Sequence, residues 1–170
     1  MQTTTVKLYS LSYNNVKTYL AASLFVLGNL VTPQLFHLMP QGGVIWLPIY
    51  FFTLVGAYKY GWRVGLLTAI LSPLTNSALF GMPAVAVLPA ILLKSVLLAV
   101  AAGYAASRFR KVSFGLLLGV VLAYQCVGTL GEWVMKGDFW LAAQDFRIGI
   151  LGMLLQILGG WLFINYIIRK

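Results

Sequence analysis

The chain is poor in most of the side chains that carry chemistry. It has one cysteine, Cys126, in 170 residues. That excludes an internal disulfide and any multi-cysteine metal or redox centre. It has one histidine, His37, so a histidine pair or a histidine-rich metal site is ruled out. Acidic residues number only three, Glu132, Asp138 and Asp145, and all charged residues together make up 9% of the chain. A soluble domain of this length needs far more charged surface than that. There is no Gly-x-Ser-x-Gly elbow, no His-Glu-x-x-His and no phosphate-binding glycine loop. Low-complexity segments, inter-domain linkers and internal repeats are also missing, and the start of the chain shows no cleavable leader pattern.

What is abundant is apolar surface. The composition is 61% hydrophobic and the mean hydropathy is +0.89. Apolar runs recur along nearly the whole length, which predicts an integral membrane protein rather than a soluble domain with an anchor. Six segments stand out, at about 18–36, 44–58, 64–80, 85–107, 112–131 and 147–167. The fold class expected is all-α, a single six-helix transmembrane domain over 1–170. Segment two is short for a span and borrows Tyr58 and Tyr60 at an interface. Pro73 removes a backbone donor within segment three, where a kink or interruption is expected.

The formal charge of +9 invites a nucleic-acid reading, but the distribution of cations points elsewhere. Lys7, Lys17, Lys59, Arg63, Arg108, Arg110, Lys111, Arg169 and Lys170 fall on one side of the six segments. Only Lys136 and Arg147 fall on the other, and Lys94 lies inside segment four. The positive-inside rule then predicts both termini in the cytoplasm. All three acidic residues fall on the outer side, within or beside "GEWVMKGDFWLAAQDFR", the longest polar connection.

Polar residues inside the segments supply the candidate site. Lys94 is expected near mid-membrane, where an ammonium is costly unless it meets protein, water or a counter-charge. Two readings stay open: a ligand contact or ion-pair partner in a cavity, or a snorkelling or structural lysine. Thr68, Ser72 and Asn76 share one face of segment three, with Thr75 beside them. Helix–helix hydrogen bonding accounts for Thr68 and Ser72, whereas Thr75 and Asn76, nearer the outer end, are expected to line a cavity. Gln125, Thr129 and Glu132 form a second row on segment five, with Trp133 alongside. That row fits either a polar ligand or a helix end in the aromatic belt. Asn29 and Gln156 sit at comparable depth. Ala21, Ala22, Ser23 and Gly28 make a small-residue face on segment one, suited to internal packing or a partner helix. A Ser72–Lys94 dyad is conceivable, but nothing positions the two together, and no enzymatic activity, cofactor or metal is expected.

The third and fourth segments, "GAYKYGWRVGLLTAILSPLTNSALFG" and "LPAILLKSVLLAVAAGYAASRFRK", together with the six-segment topology, resemble the substrate-binding S component of energy-coupling factor (ECF) transporters. The resemblance covers most of the chain and rests on Gly61, Gly65, Pro73, Gly81, Pro89, Lys94 and Gly103. It implies a bacterial cytoplasmic-membrane subunit that captures a vitamin or related micronutrient near the outer surface. Partners would be a membrane T component and two cytoplasmic ATPases, with no nucleic acid. By that analogy Lys94, Gln125, Thr129 and Glu132 fall where ligand contacts occur, and the loop with His37 and Gln41 falls where a cover lies. The family's Ala-x-x-x-Ala pair on helix one is missing, since Phe25 follows Ala21 and Val26 follows Ala22 at that spacing. The rival reading is a bacterial membrane scaffold of the rod-shape-determining type. A binding subunit should open a pocket of several hundred cubic ångströms near Lys94 and Glu132 (roughly 300 Å³ or more); a scaffold should pack its polar residues against one another.

Overall fold

A computed structural model describes residues 7–168. Arg169 and Lys170, counted above with the inner-side cations, lie outside the described residues. Helices account for the architecture, and no strand occurs among the described residues. In chain order they are α1 (Val16–His37), α2 (Gly42–Trp46), α3 (Phe51–Tyr60), α4 (Trp62–Phe80), α5 (Leu88–Phe109) and α6 (Phe114–Lys136). Two short helices follow, α7 (Phe139–Ala142) and α8 (Gln144–Arg147). The last helix, α9 (Ile150–Ile167), carries two π-helical stretches, 155–159 and 163–167.

Four of these, α1, α5, α6 and α9, are long and apolar enough to cross a membrane. The surface agrees: α1 turns Leu20, Leu24, Leu27, Val31 and Leu35 outward in a continuous stripe, each more than half exposed. Such a stripe is unstable in water and at home in lipid. The protein is a multi-pass membrane protein. α4 is 19 residues long, but Thr68, Ser72, Thr75, Asn76 and Ser77 dilute its hydropathy.

The second apolar stretch differs most from expectation. Instead of one helix over 44–58, it is broken at Leu47, whose left-handed conformation (φ 46°) ends α2. A single turn of 3-10 helix, Pro48–Tyr50, then leads into α3. At 10 residues α3 is about 15 Å long, half of a bilayer core. It is also the most enclosed helix, with every residue from Thr53 to Lys59 buried. α1, α4 and α5 pack around it, so Leu54, Val55 and Tyr58 meet Val64, Ala69, Leu98 and Ala102 in the core. α6 packs on α5, and α9 on α6.

Three further differences bear on the site. α4 continues through Pro73, which is buried among neighbouring helices. There the loss of one backbone bond is tolerated. α5 begins at Leu88, with Pro89 in its first turn, where a missing donor costs nothing. Lys94 therefore lies six residues in, about 9 Å from that end, in the first third of α5 rather than at its middle. α6 runs on to Lys136, capped by Gly137 in a left-handed conformation (φ 71°), so Glu132 and Lys136 are helical residues one turn apart.

The two ends of the bundle contrast in charge. At one end the N-terminal segment lies on the α3–α4 corner, with Tyr9 N donating to Lys59 O at 2.8 Å and Leu11 N to Tyr60 O at 3.1 Å. Tyr58 donates its hydroxyl to Lys111 O across the same end. Lys7, Lys59, Arg63, Arg108, Arg110 and Lys111 gather there, without a carboxylate among the described residues. Glu132, Asp138 and Asp145 are all at the other end.

Candidate functional site

The chemistry concentrates where α5, α6 and α8 meet at the acidic end. Gly128 of α6 provides the seat: a Cβ built on it would stand 2.6 Å from Lys94 Cγ. The lysine stem therefore lies flat on α6, which carries its ammonium one turn onward to Glu132. Lys94 Nζ is 2.5 Å from Glu132 Oε2 and donates to Asp145 Oδ2 at 2.9 Å. The other oxygen of Glu132 takes Lys136 Nζ, also at 2.5 Å. Lys94 and Glu132 are 3% and 7% exposed, so an ammonium and a carboxylate meet in a nearly dry site, with Asp145 partly buried beside them and Lys136 reaching in from the solvent side. Such burial is tolerable because every charge has an opposite partner in contact. Arg147 stays apart, stacked over Trp140 at 5.3 Å.

The cluster faces a chamber of about 160 Å³ whose lining includes Lys94, Glu132, Lys136, Gln144, Asp145 and Tyr50. α2 and the turn after it supply the opposite wall through Gly43, Val44, Leu47 and Ile49. A second chamber of about 280 Å³ shares Gly43, Val44, Ile49, Val87 and Ile91 with the first. Its remaining lining is almost wholly apolar: Pro33, Pro48, Met82, Pro83 and Ala84, with His37 beside them. The small α2 thus stands between a charged chamber and an apolar one.

Beneath the charged chamber the Tyr50 ring lies 5.6 Å from that of Tyr124. Tyr124 donates to Gln156 Oε1 at 2.9 Å and accepts from Gln125 Nε2 at 3.1 Å. Four buried polar atoms around this level have no partner among the described residues: Ser95 Oγ, Gln125 Oε1, Thr129 Oγ1 and Gln156 Nε2. Buried polar atoms are rarely left so.

A separate polar network binds α1, α3 and α4. Asn29 Nδ2 donates to Thr53 Oγ1 at 3.1 Å and to Ser72 Oγ at 3.2 Å. Its Oδ1 accepts from Phe52 N at 3.2 Å, capping the start of α3. Asn76 donates to Asn29 O at 2.7 Å and accepts from Gln34 at 3.3 Å. Thr68 bonds back to Val64 O.

The structure therefore sorts the sequence candidates into groups. Lys94 and Glu132 meet at the charged chamber, with Gln125 and Thr129 buried below it. Asn76 belongs to the neutral network and lines neither chamber. Thr75 is half-buried beside it and also lines neither. Asn29 is bonded within the neutral network and Gln156 to Tyr124 beneath the charged chamber, and neither lines a chamber. Ser72 and Lys94 fall in different networks, so no dyad forms. Trp133 points outward, its ring edge-on to Phe139 at 5.5 Å. His37 and Gln41 are exposed, and Gln41 leads into α2 in a left-handed conformation (φ 54°). Of the small-residue face, Ala22 is in the core and Gly28 lies against the Phe52 ring. Ala21 is half-buried and Ser23 exposed.

Asp145, Lys136, Gln144 and Tyr50 were not singled out from sequence as site residues. Only one signal pointed to two of them: Asp145 and Lys136 are among the few charged residues of the outer connection, and a buried lysine needs a counter-charge. Comparisons with protein-family models, with curated proteins and with solved structures find no match for the chain.

Proposed function

We propose that the protein is a solute-binding membrane subunit of the ECF S-component type, which captures a vitamin-like micronutrient at its acidic end. The observation carrying this is the buried Lys94–Glu132–Asp145 cluster, which borders a chamber instead of being sealed by packing. Intramembrane charges that face a cavity mark ligand or ion sites far more often than glue. In this reading α2–turn–α3 and α4 complete six spans, and the basic end faces the cytoplasm of a bacterium. The sequence has no phosphate-binding loop, so energy would come from partners, a T component and two ATPases. Ser23 and the exposed part of Ala21 remain on the outside of α1 for helix contact. The protein itself would bind and release its solute without chemical change.

One observation favours the scaffold reading. The charged chamber, at about 160 Å³, is below the roughly 300 Å³ at which ligand clefts begin, and its four charges pair with one another. Native mass spectrometry of the purified protein, released gently from detergent, separates the two. A stoichiometric small molecule lost on Lys94→Ala supports capture. An empty protein that also gains no thermal stability from a vitamin panel sinks it in favour of a scaffold.

A further inference from the structure

We infer that the solute is a small zwitterion bearing an apolar group, such as an amino acid with a ring or branched aliphatic side chain. This rests on the solute-capture reading above and goes beyond it to the ligand's charge.

The inference starts from the charge balance of the chamber. Lys94 and Lys136 supply two positive charges, Glu132 and Asp145 two negative ones, and each is already in contact with an opposite. A solute with a single net charge would add an unbalanced ion beside the buried Lys94–Glu132 pair of this neutral cluster, and such an ion is penalised there. A solute carrying both signs avoids the penalty by partner exchange. Its carboxylate takes an ammonium of Lys94 or Lys136, its ammonium takes a carboxylate of Glu132 or Asp145, and every charge stays paired throughout.

Size and lining complete the description. The charged chamber is too small for a whole drug-sized ligand but has room for a head group. The adjoining chamber of about 280 Å³, walled by Pro33, Pro48 and Met82, accepts an apolar remainder. Between them stand Val44, Ile49, Val87 and Ile91, half-buried side chains that line both chambers and would have to part around a ligand lying across both.

The test uses the full-length protein in nanodiscs and matched triplets that differ only in charge. One triplet is phenylalanine, 2-phenylethylamine and 3-phenylpropanoate; the others are the corresponding sets for leucine and tryptophan. Binding is read by thermal shift and titration, alongside mass-spectrometric identification of any retained molecule. At least one zwitterion is expected to bind tenfold or more tightly than both of its singly charged partners, or the retained molecule to carry both charges. Lys136→Gln, which leaves one ammonium facing two carboxylates, is expected to shift the preference toward the amine of each triplet while remaining folded. Tighter binding of an amine or an acid by the wild-type protein, or a retained molecule with one net charge, would overturn the zwitterion and leave capture standing. No retained molecule and no response to these triplets or to the vitamin panel would overturn capture itself, and this inference with it.

Discussion

The Asn29 network and the Lys94 cluster are both polar islands in an apolar helical bundle, yet they are built differently. Asn29, Thr53, Ser72 and Asn76 are neutral and fully buried, and they border neither chamber. Each hydrogen bond ties one helix to another. The Lys94 cluster is ionic, reaches across α5, α6 and α8, and leaves one side open to a chamber. Neutral groups in lipid can be satisfied pairwise and then closed over at small cost. Charges need compensation at contact distance, and inside a membrane they are kept facing protein or a cavity.

The largest effect is expected from breaking the ionic island. Lys94→Ala leaves Glu132 with Lys136 alone and Asp145 with no cation. It should destabilise the protein by about 3 kcal/mol, the scale for removing one partner of a buried pair. Adding Glu132→Gln and Asp145→Asn in the same background should recover part of that loss in thermal unfolding. A Lys94→Ala protein as stable as the wild type would show that water, not protein, compensates the charges.

Asn29→Leu attacks the other island and comes next. It removes two side-chain bonds and the cap on Phe52 N. With interhelical bonds in membranes averaging about 0.6 kcal/mol each, the loss should be about 1–2 kcal/mol, with solute retention unchanged. Retention that falls with Asn29→Leu as steeply as with Lys94→Ala would erase the distinction between the islands.

Gly128→Ala sharpens the comparison without touching a charge. The new methyl lifts the Lys94 stem from α6, at a cost of about 1 kcal/mol for overpacking. Solute retention should suffer more than stability. The smallest effect belongs to Lys136→Gln, whose side chain is one-quarter exposed. As a pair open to solvent and salt, it should cost less than about 0.5 kcal/mol in the unfolding midpoint.

The membrane class and the rough positions of the long helices were legible because twenty-residue apolar runs have few other uses. The face shared by Thr68, Ser72 and Asn76 was legible as well, since helical spacing alone places them together. What that face meets was not: periodicity reports which side chains are neighbours on one helix, not whether a cavity or another helix lies opposite. Asn76 was expected at a cavity and is instead bonded to the α1 backbone. Asp145 comes from a short helix in a connection, where no period leads to it, and its role depends on a fold that returns the chain over α5. The break at Leu47 did have a signal in Pro48, since a helix usually ends at or before the residue preceding a proline; the left-handed backbone of Leu47 had none, because leucine carries no turn preference. The short α3 reads in sequence as a weak span and turns out to be the most enclosed helix.

Glycine has a further consequence at the basic end. A side chain at Gly65 would collide with Ala57 of α3, and one at Gly103 with the start of α4 at Trp62. Backbones of three helices there touch with almost no side chain between them, beside a pocket lined by Tyr9, Gly61, Trp62, Gly103 and Arg110. At the acidic end the approach is as close where Gly152 of α9 meets the backbone of Trp46 in α2. Each end of the bundle is therefore pinned where a glycine lets two backbones touch, and a single methyl at Gly65, Gly103 or Gly152 would have to push two helices apart.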